Sequence, residues 1–255
     1  MASAPQQSLP LFYKDLEPLS SQTHADFSVR AVDAAPFVVN THAIPLTVEE
    51  FPAAQRYFPI VFSVGDEPVP LGLMGLNEGV NVFVDDEGGV TGQVYMPAYA
   101  RRYPFMLARL SPEATELSLC FDPTTDLVGE FDEGVELFDG EAPTETCKAT
   151  LNFCEQFEVA GQKTQAFMDE LRKQKLLMDG EVAIQQQGIE QPFVYRGFQM
   201  VDENKLRELR GDVLRQWNQN GMLALVYAHL FSLELIRDIF AKQAEQGKGP
   251  AIPAE

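Results

Sequence analysis

Apolar and polar positions alternate at short period through the first half of the chain and at helical period through the second. "PIVFSV", residues 59–64, is short, β-branched and aromatic and is bounded by Pro59 and Gly65, which predicts a strand. "VNVFVD" and "VTGQVY" flank "DEGG", and "YPFMLARL" and "TELSLCFD" flank "SPEA". Each pair predicts a hairpin, because Gly, Pro, Asp and Ser stand where the chain must reverse. Residues 59–122 therefore read as largely antiparallel sheet. Upstream, Thr47 with Glu50 three residues on forms a capping-box pattern for "TVEEFPAAQRYF", with Pro52 tolerated in the first turn.

Beyond residue 142 the period changes. Thr144 caps a helix with apolar positions at Cys147, Leu151, Cys154 and Phe157, and a second helix is expected from Thr164 through Phe167, Leu171 and Met178. "AIQQQGIEQPFVYRGFQM" predicts a short strand or extended stretch leading into a helix capped near Asp202. The last region keeps helical period to about Gln246, with a break at Asn220-Gly221. The expected organisation is an N-terminal arm over 1–35, a β-rich region over 36–142, a helical region over 143–246 and a tail over 247–255, with 36–246 forming one body. The fold class is α+β, an antiparallel sheet in the N-terminal half packed against a helical C-terminal half.

Charge narrows the function. The 255 residues carry 38 acidic and 19 basic side chains, a formal charge of −19, which repels nucleic-acid backbones and anionic headgroups. The partner expected is another protein, or an anionic ligand met by a local basic patch; oligomeric state is left open. No uncharged apolar run approaches the roughly 18 residues of a membrane span, and "MASAPQQSLPLFYKDLEP" lacks the features of a secretory signal, so a cytoplasmic location is expected without membrane insertion. Cys120, Cys147 and Cys154 are odd in number and lack a CxxC spacing; they read as small core residues.

One local basic patch stands out. In "YMPAYARRYPFML" (95–107) Pro97 suits a first helical position and Pro104 closes the turn, so Arg101 and Arg102 fall at a helix end where their charge complements the dipole. Tyr99 and Tyr103 flank them and can stack on guanidinium planes. Two readings stay open: a structural knot on carbonyls and acids such as Asp85, Asp122 or Asp132, or a ligand-binding set of Tyr99, Arg101, Arg102 and Tyr103 taking a carboxylate or phosphate.

Other chemistry finds less support. "HAD" (24–26) with His229 and Arg237 is reminiscent of a two-histidine, one-carboxylate iron site, but His24 lies in a polar arm and His229 in a strong helix. His229, with Leu225, Val226, Leu233 and Ile236 at helical spacing, reads as a core histidine, and His42 as a local one. Neither a nucleophile elbow, a phosphate loop nor an HExxH motif occurs. The acidic pairs Asp85-Asp86, Asp132-Glu133 and Glu49-Glu50 sit in turns or at a helix start. Neither a catalytic residue, a metal nor a cofactor is expected.

Taken in order, "FYKDLEPLSSQTHADFSV", "IPLTVEEFPAAQRYFPIVFS", "LGLMGLNEGVNVFVDDEGGV", "YMPAYARRYPF", "LFDGEAPT", "GFQMVDENKL" and "LALVYAHLFSL" resemble the SapC family of bacterial proteins over nearly the whole chain. The family often carries a tryptophan in the hairpin after the turn, where this chain has Val90 or Thr91. The resemblance implies a role beside surface-layer or outer-membrane protein systems and assigns no catalytic residue. The function expected is a non-catalytic accessory or binding protein; the alternative is an enzyme modifying a protein or peptide, with Arg101 and Arg102 holding a substrate carboxylate or phosphate.

Overall fold

The computed structural model describes residues 9–249 apart from 32, 112 and 187–190. The first eight residues of the expected arm and the last six of the expected tail lie outside the described residues. The strands, in chain order, are β1 (Glu17–Pro18), β2 (Phe27–Val29), β3 (Ala43–Pro45), β4 (Ile60–Phe62), β5 (Pro70–Leu73), β6 (Phe105–Ala108) and β7 (Ser118–Phe121). There follow β8 (Val128–Glu130), β9 (Val135–Glu136), β10 (Phe138–Asp139), β11 (Ala142–Pro143), β12 (Leu177–Ile184) and β13 (Phe193–Val201). The helices are α1 (Phe51–Ala54), α2 (Ala98–Arg101), α3 (Glu145–Lys173), α4 (Glu203–Arg207), α5 (Gly211–Gln219), α6 (Met222–Ser232) and α7 (Leu235–Glu245). The fold is α+β, with antiparallel sheets in the N-terminal half and helices in the C-terminal half.

The chain forms two units, each assembled from two separated segments: Met1–Ala34 with Ala100–Val159, and Ala35–Tyr99 with Ala160–Glu255. In the first unit β1-β7-β6 and β8-β2-β9 form two three-stranded sheets beside the β10-β11 hairpin. The expected hairpin over residues 103–122 is there, with Phe105 opposite Phe121 and Ala108 opposite Ser118. Residues of the N-terminal arm supply β1 and the central strand β2. Tyr13 is buried, and its hydroxyl donates to the Phe105 carbonyl at 2.7 Å. The core gathers Phe105, Leu107, Phe121, Val128, Leu137 and Phe138 with Cys147 and Cys154 of α3. Burial pushes the Cys154 thiol up to about 11, so it stays a protonated packing residue.

The second unit is built on the antiparallel sheet β12-β13-β4-β5-β3. Its two longest strands, β12 and β13, pair from Leu177–Val201 to Ile184–Phe193 in a stretch whose sequence predicts only one short strand. Gly72 of β5 lies under Phe58, whose ring carbon would stand 2.5 Å from any added Cβ, so the close approach requires glycine. The hairpin expected over residues 80–95 contracts to the single bridge Val84–Val90. Asn81 diverts the chain there: its amide donates to the Val38 carbonyl at 3.0 Å and its oxygen accepts the Phe83 N–H at 2.9 Å.

The helical signals hold where they are local. Thr144 Oγ1 accepts the Cys147 N–H, and Asp202 accepts the Asn204 and Lys205 N–H groups. Gly221, at φ +81°, separates α5 from α6. The two helices expected over residues 145–178 are one, because Thr164 turns its hydroxyl back to the Ala160 carbonyl at 2.7 Å instead of capping a new start. The helix ends at Lys173, and Met178 belongs to β12.

His229 on α6 is fully buried, as its apolar helical neighbours predict, and joins two strands. Val201 N–H of β13 donates to Nε2 at 3.1 Å, so the ring proton sits on Nδ1 and donates to the Ile60 carbonyl of β4 at 2.7 Å. Next to it Ser232 Oγ accepts the Ile60 N–H at 2.8 Å. Burial lowers the imidazole pKa to about 4 from 6.5, outweighing the bond to Ile60.

Below pH 6.5 an unfolded chain therefore binds a proton that folded His229 refuses. Stability is expected to fall between pH 6.5 and about 4 by on the order of 3 kcal/mol from this group. His229→Leu should cost about 2–5 kcal/mol near neutrality, through two unmet backbone groups, and should flatten that window. Urea unfolding at several pH values measures both; equal slopes in parent and variant would refute the assignment. A fragment ending near residue 142 lacks the α3 residues of the first core and should be insoluble, whereas a cooperatively melting fragment 1–142 would show an independent domain.

Candidate functional site

A short helix, α2, ends at Arg101 as the sequence predicts, but the structure divides the members of the arginine turn. The boundary between units falls after Tyr99, which is buried in the second unit; Arg101, Arg102 and Tyr103 belong to the first. Arg102 is 6% exposed, with its guanidinium 4.2 Å from the Phe157 ring centroid, 5.9 Å from that of Tyr13, and 3.7 Å from Glu158 Oε1. Such a sandwich fixes a side chain by packing as much as by charge. Arg101 is exposed, and its guanidinium lies 5.2 Å from the Phe153 ring. Glu158 thus supplies a carboxylate to this turn that the sequence assigns to Asp85, Asp122 or Asp132.

Asp122 has a different task. It accepts the Lys14 N–H at 2.8 Å, the Thr124 N–H at 2.9 Å and the Thr124 hydroxyl at 2.7 Å, and Tyr103 Oη lies 3.4 Å away. Burial would raise its pKa, but these donors outweigh burial and hold it below the usual range. Burial raises the Tyr103 phenol, helped by the Asp122 charge and opposed by Thr125.

His24 is buried in the first unit against Phe27 and Phe121. Its Nδ1 accepts the Ser20 N–H at 3.2 Å, and its Nε2 meets Glu17 Oε1 at 3.1 Å. His229 spends both nitrogens inside the second unit. Among the described residues no group of three or more His, Cys, Asp or Glu side chains could hold a metal ion.

Sequence reasoning misses a groove of about 510 Å³ in the second unit. Its parts come from four places. The turn before α1 gives Val48 and Glu49, α1 gives Pro52, α3 gives Lys163, Ala166, Phe167 and Glu170, and α5 with the start of α6 gives Gln216, Trp217, Met222 and Leu225. Local chemistry sets each wall. Glu50 closes the capping box, with Oε2 accepting the Thr47 N–H at 2.8 Å, and Oε1 accepts the Ala98 N–H at 2.6 Å and the Tyr95 hydroxyl at 3.1 Å. Thr164 Oγ1 takes the Val48 N–H at 3.0 Å and so ties this turn to α3.

The groove combines an apolar floor with a polar rim. Trp217, the single tryptophan, is 1% exposed, and Phe167 packs edge-on against Phe51 at 5.7 Å. Burial works to raise the Glu170 carboxyl, but hydrogen bonds from Gln174, Lys173 and Trp217 outweigh it and keep the group ionised below the usual range. Glu49 and Lys163 pair across the rim at 2.5 Å. An arrangement of this kind takes up apolar side chains and orients them by charge at its edge.

Residues 19–239 match the family profile described as SapC. Neither a curated protein nor a solved structure matches the chain.

The divided arginine turn yields unequal variants. Arg102→Ala should destabilise the chain by about 2–4 kcal/mol, through lost packing and an unmatched Glu158, whereas Arg101→Ala should melt close to the parent. Thermal unfolding of both variants checks this; equal melting temperatures would contradict the division of roles.

Proposed function

The chain belongs to the SapC family, and from that premise we propose that it is a non-catalytic accessory protein of a surface-layer or outer-membrane protein system, acting in the cytoplasm by binding a segment of a partner protein. The groove of the second unit carries this reading. Its floor of Phe167, Met222 and Leu225 suits apolar side chains, whose burial contributes about 25 cal/mol per Å². Two carboxylates against one ammonium at the rim, in a chain of charge −19, favour a segment that also bears lysine or arginine. On α6 the exposed rings of Tyr227 and Phe231 stack at 5.7 Å and offer further apolar contact. Among the described residues no helix is long and apolar enough to cross a membrane.

A second reading rests on Arg101. Exposed and stacked on Phe153, its planar fork suits a carboxylate or phosphate of a ligand, with Tyr103 nearby in sequence and with the adjacent Arg102 buried in the same unit. In that case Arg101→Lys keeps the charge but should restore little binding.

The test is an array of peptides tiled from the host's surface-layer and outer-membrane proteins. Ala166→Phe, at an exposed helical position lining the groove, should remove binding while leaving the fold intact. Bound peptides should carry apolar residues at helical spacing with a basic neighbour, and should shift the emission of Trp217. Peptides held equally by parent and Ala166→Phe would exclude the groove. Peptides lost only in Arg101→Ala would favour the second reading.

A further inference from the structure

The second unit holds another cavity, smaller and more enclosed, of about 120 Å³. It lies on the five-stranded sheet beside α7, with Val61, Leu71, Leu73 and Ile236 as apolar wall and with His42 and Tyr195 also lining it. Tyr195 stands on β13, its ring 6.3 Å from Phe240. Its hydroxyl oxygen is buried and meets no hydrogen-bond partner among the described residues. That is out of keeping with its surroundings. His229 has both nitrogens bonded, Ser232 donates and accepts, and the Gln243 amide reaches the Leu76 N–H, Asn77 and the Lys248 carbonyl. A buried hydroxyl without a partner is costly, and one on a residue that lines a cavity can be completed by an acceptor held there.

The surroundings restrict what that is. Burial raises the Tyr195 phenol, so it keeps its proton and acts as a donor. Arg196, at the same cavity, already bonds Glu181 at 2.6 Å, so its charge is matched at the surface. An anion would have to leave water for an apolar wall with no uncommitted charge opposite it. For size, an engineered apolar cavity of roughly 150 Å³ takes up benzene. The cavity here is slightly smaller, and Tyr195 adds a hydroxyl donor to its lining.

We propose that this cavity is a binding site for a small neutral molecule, with a compact apolar body of five or six carbons and one carbonyl or ether oxygen that accepts a hydrogen bond from Tyr195 Oη. The site is separate from the groove, and the proposal stands whether or not the groove binds a partner. Tyr195 selects for the acceptor oxygen, and Val61, Leu71, Leu73 and Ile236 select for the apolar body. Ala43, which also lines the cavity from β3, limits its volume.

Cyclopentanone and cyclopentane serve as probes, titrated on the full chain by ligand-observed NMR. The ketone should bind saturably, and Tyr195→Phe should weaken it roughly five- to tenfold while leaving the hydrocarbon unchanged. Ala43→Leu, which fills the cavity and keeps the hydroxyl, should abolish binding of both. Without ligand, Tyr195→Phe should melt at or above the parent, because it removes a polar group that lacks a partner. Equal ketone affinity in parent and Tyr195→Phe would overturn the proposal. So would a lower melting temperature for unliganded Tyr195→Phe, or a crystal soaked in cyclopentanone with only ordered water at the Tyr195 hydroxyl.

Discussion

A single imidazole joins the two parts of the main sheet. Strands β4 and β5 pair at three residues, whereas β4 meets β13 at the one pair Gln199–Phe62. Where these strands separate, His229 stands in for a rung of the ladder, taking the Val201 N–H and giving its own proton to the Ile60 carbonyl. No apolar side chain could do this, and a charged one would be stranded in the core. A neutral ring with one donor and one acceptor on opposite edges fits both backbone groups. The long β12-β13 hairpin is thereby held to the strands that come from the N-terminal half.

The same economy of polar groups builds the groove. Glu50 closes its own helix start and then receives donors from Ala98 and Tyr95, and Thr164 reaches from α3 to the backbone of Val48. Each buried polar atom so placed fixes the angle of one wall. Between the walls Phe167 packs edge-on against Phe51, and Trp217 and Met222 are buried.

What the sequence discloses follows from the range of the interactions concerned. The capping box at Thr47, the caps at Thr144 and Asp202, the break at Gly221 and the hairpin over 103–122 are each decided within a few residues, and each is legible. The bridge at Val84–Val90 and the continuity of α3 were not, because Asn81 is claimed by Val38 and Thr164 by Val48, partners 43 and 116 residues away. β12 escapes notice, and β13 reads only as a short strand or extended stretch, because polar and apolar positions are mixed on both faces, as the run "LMDGEVAI" illustrates. The arginine turn is legible as a turn. Its split between a buried Arg102 and an exposed Arg101 depends on Phe153, Phe157 and Glu158 of α3, which adjacent sequence cannot supply. The groove draws on residues from 48 to 225 and carries no contiguous signature.

The interleaving of the two units has an evolutionary side. Each is completed by a segment that lies beyond part of the other, with crossings at 34–35, 99–100 and 159–160. Recombination ordinarily exchanges contiguous stretches, and no contiguous stretch here contains one unit whole without material from its neighbour. A gene fusion or partial duplication would therefore deliver fragments, each with an unfinished core. Such an arrangement favours inheritance of the two units as one block, and the family match from residue 19 to residue 239 spans all three crossings.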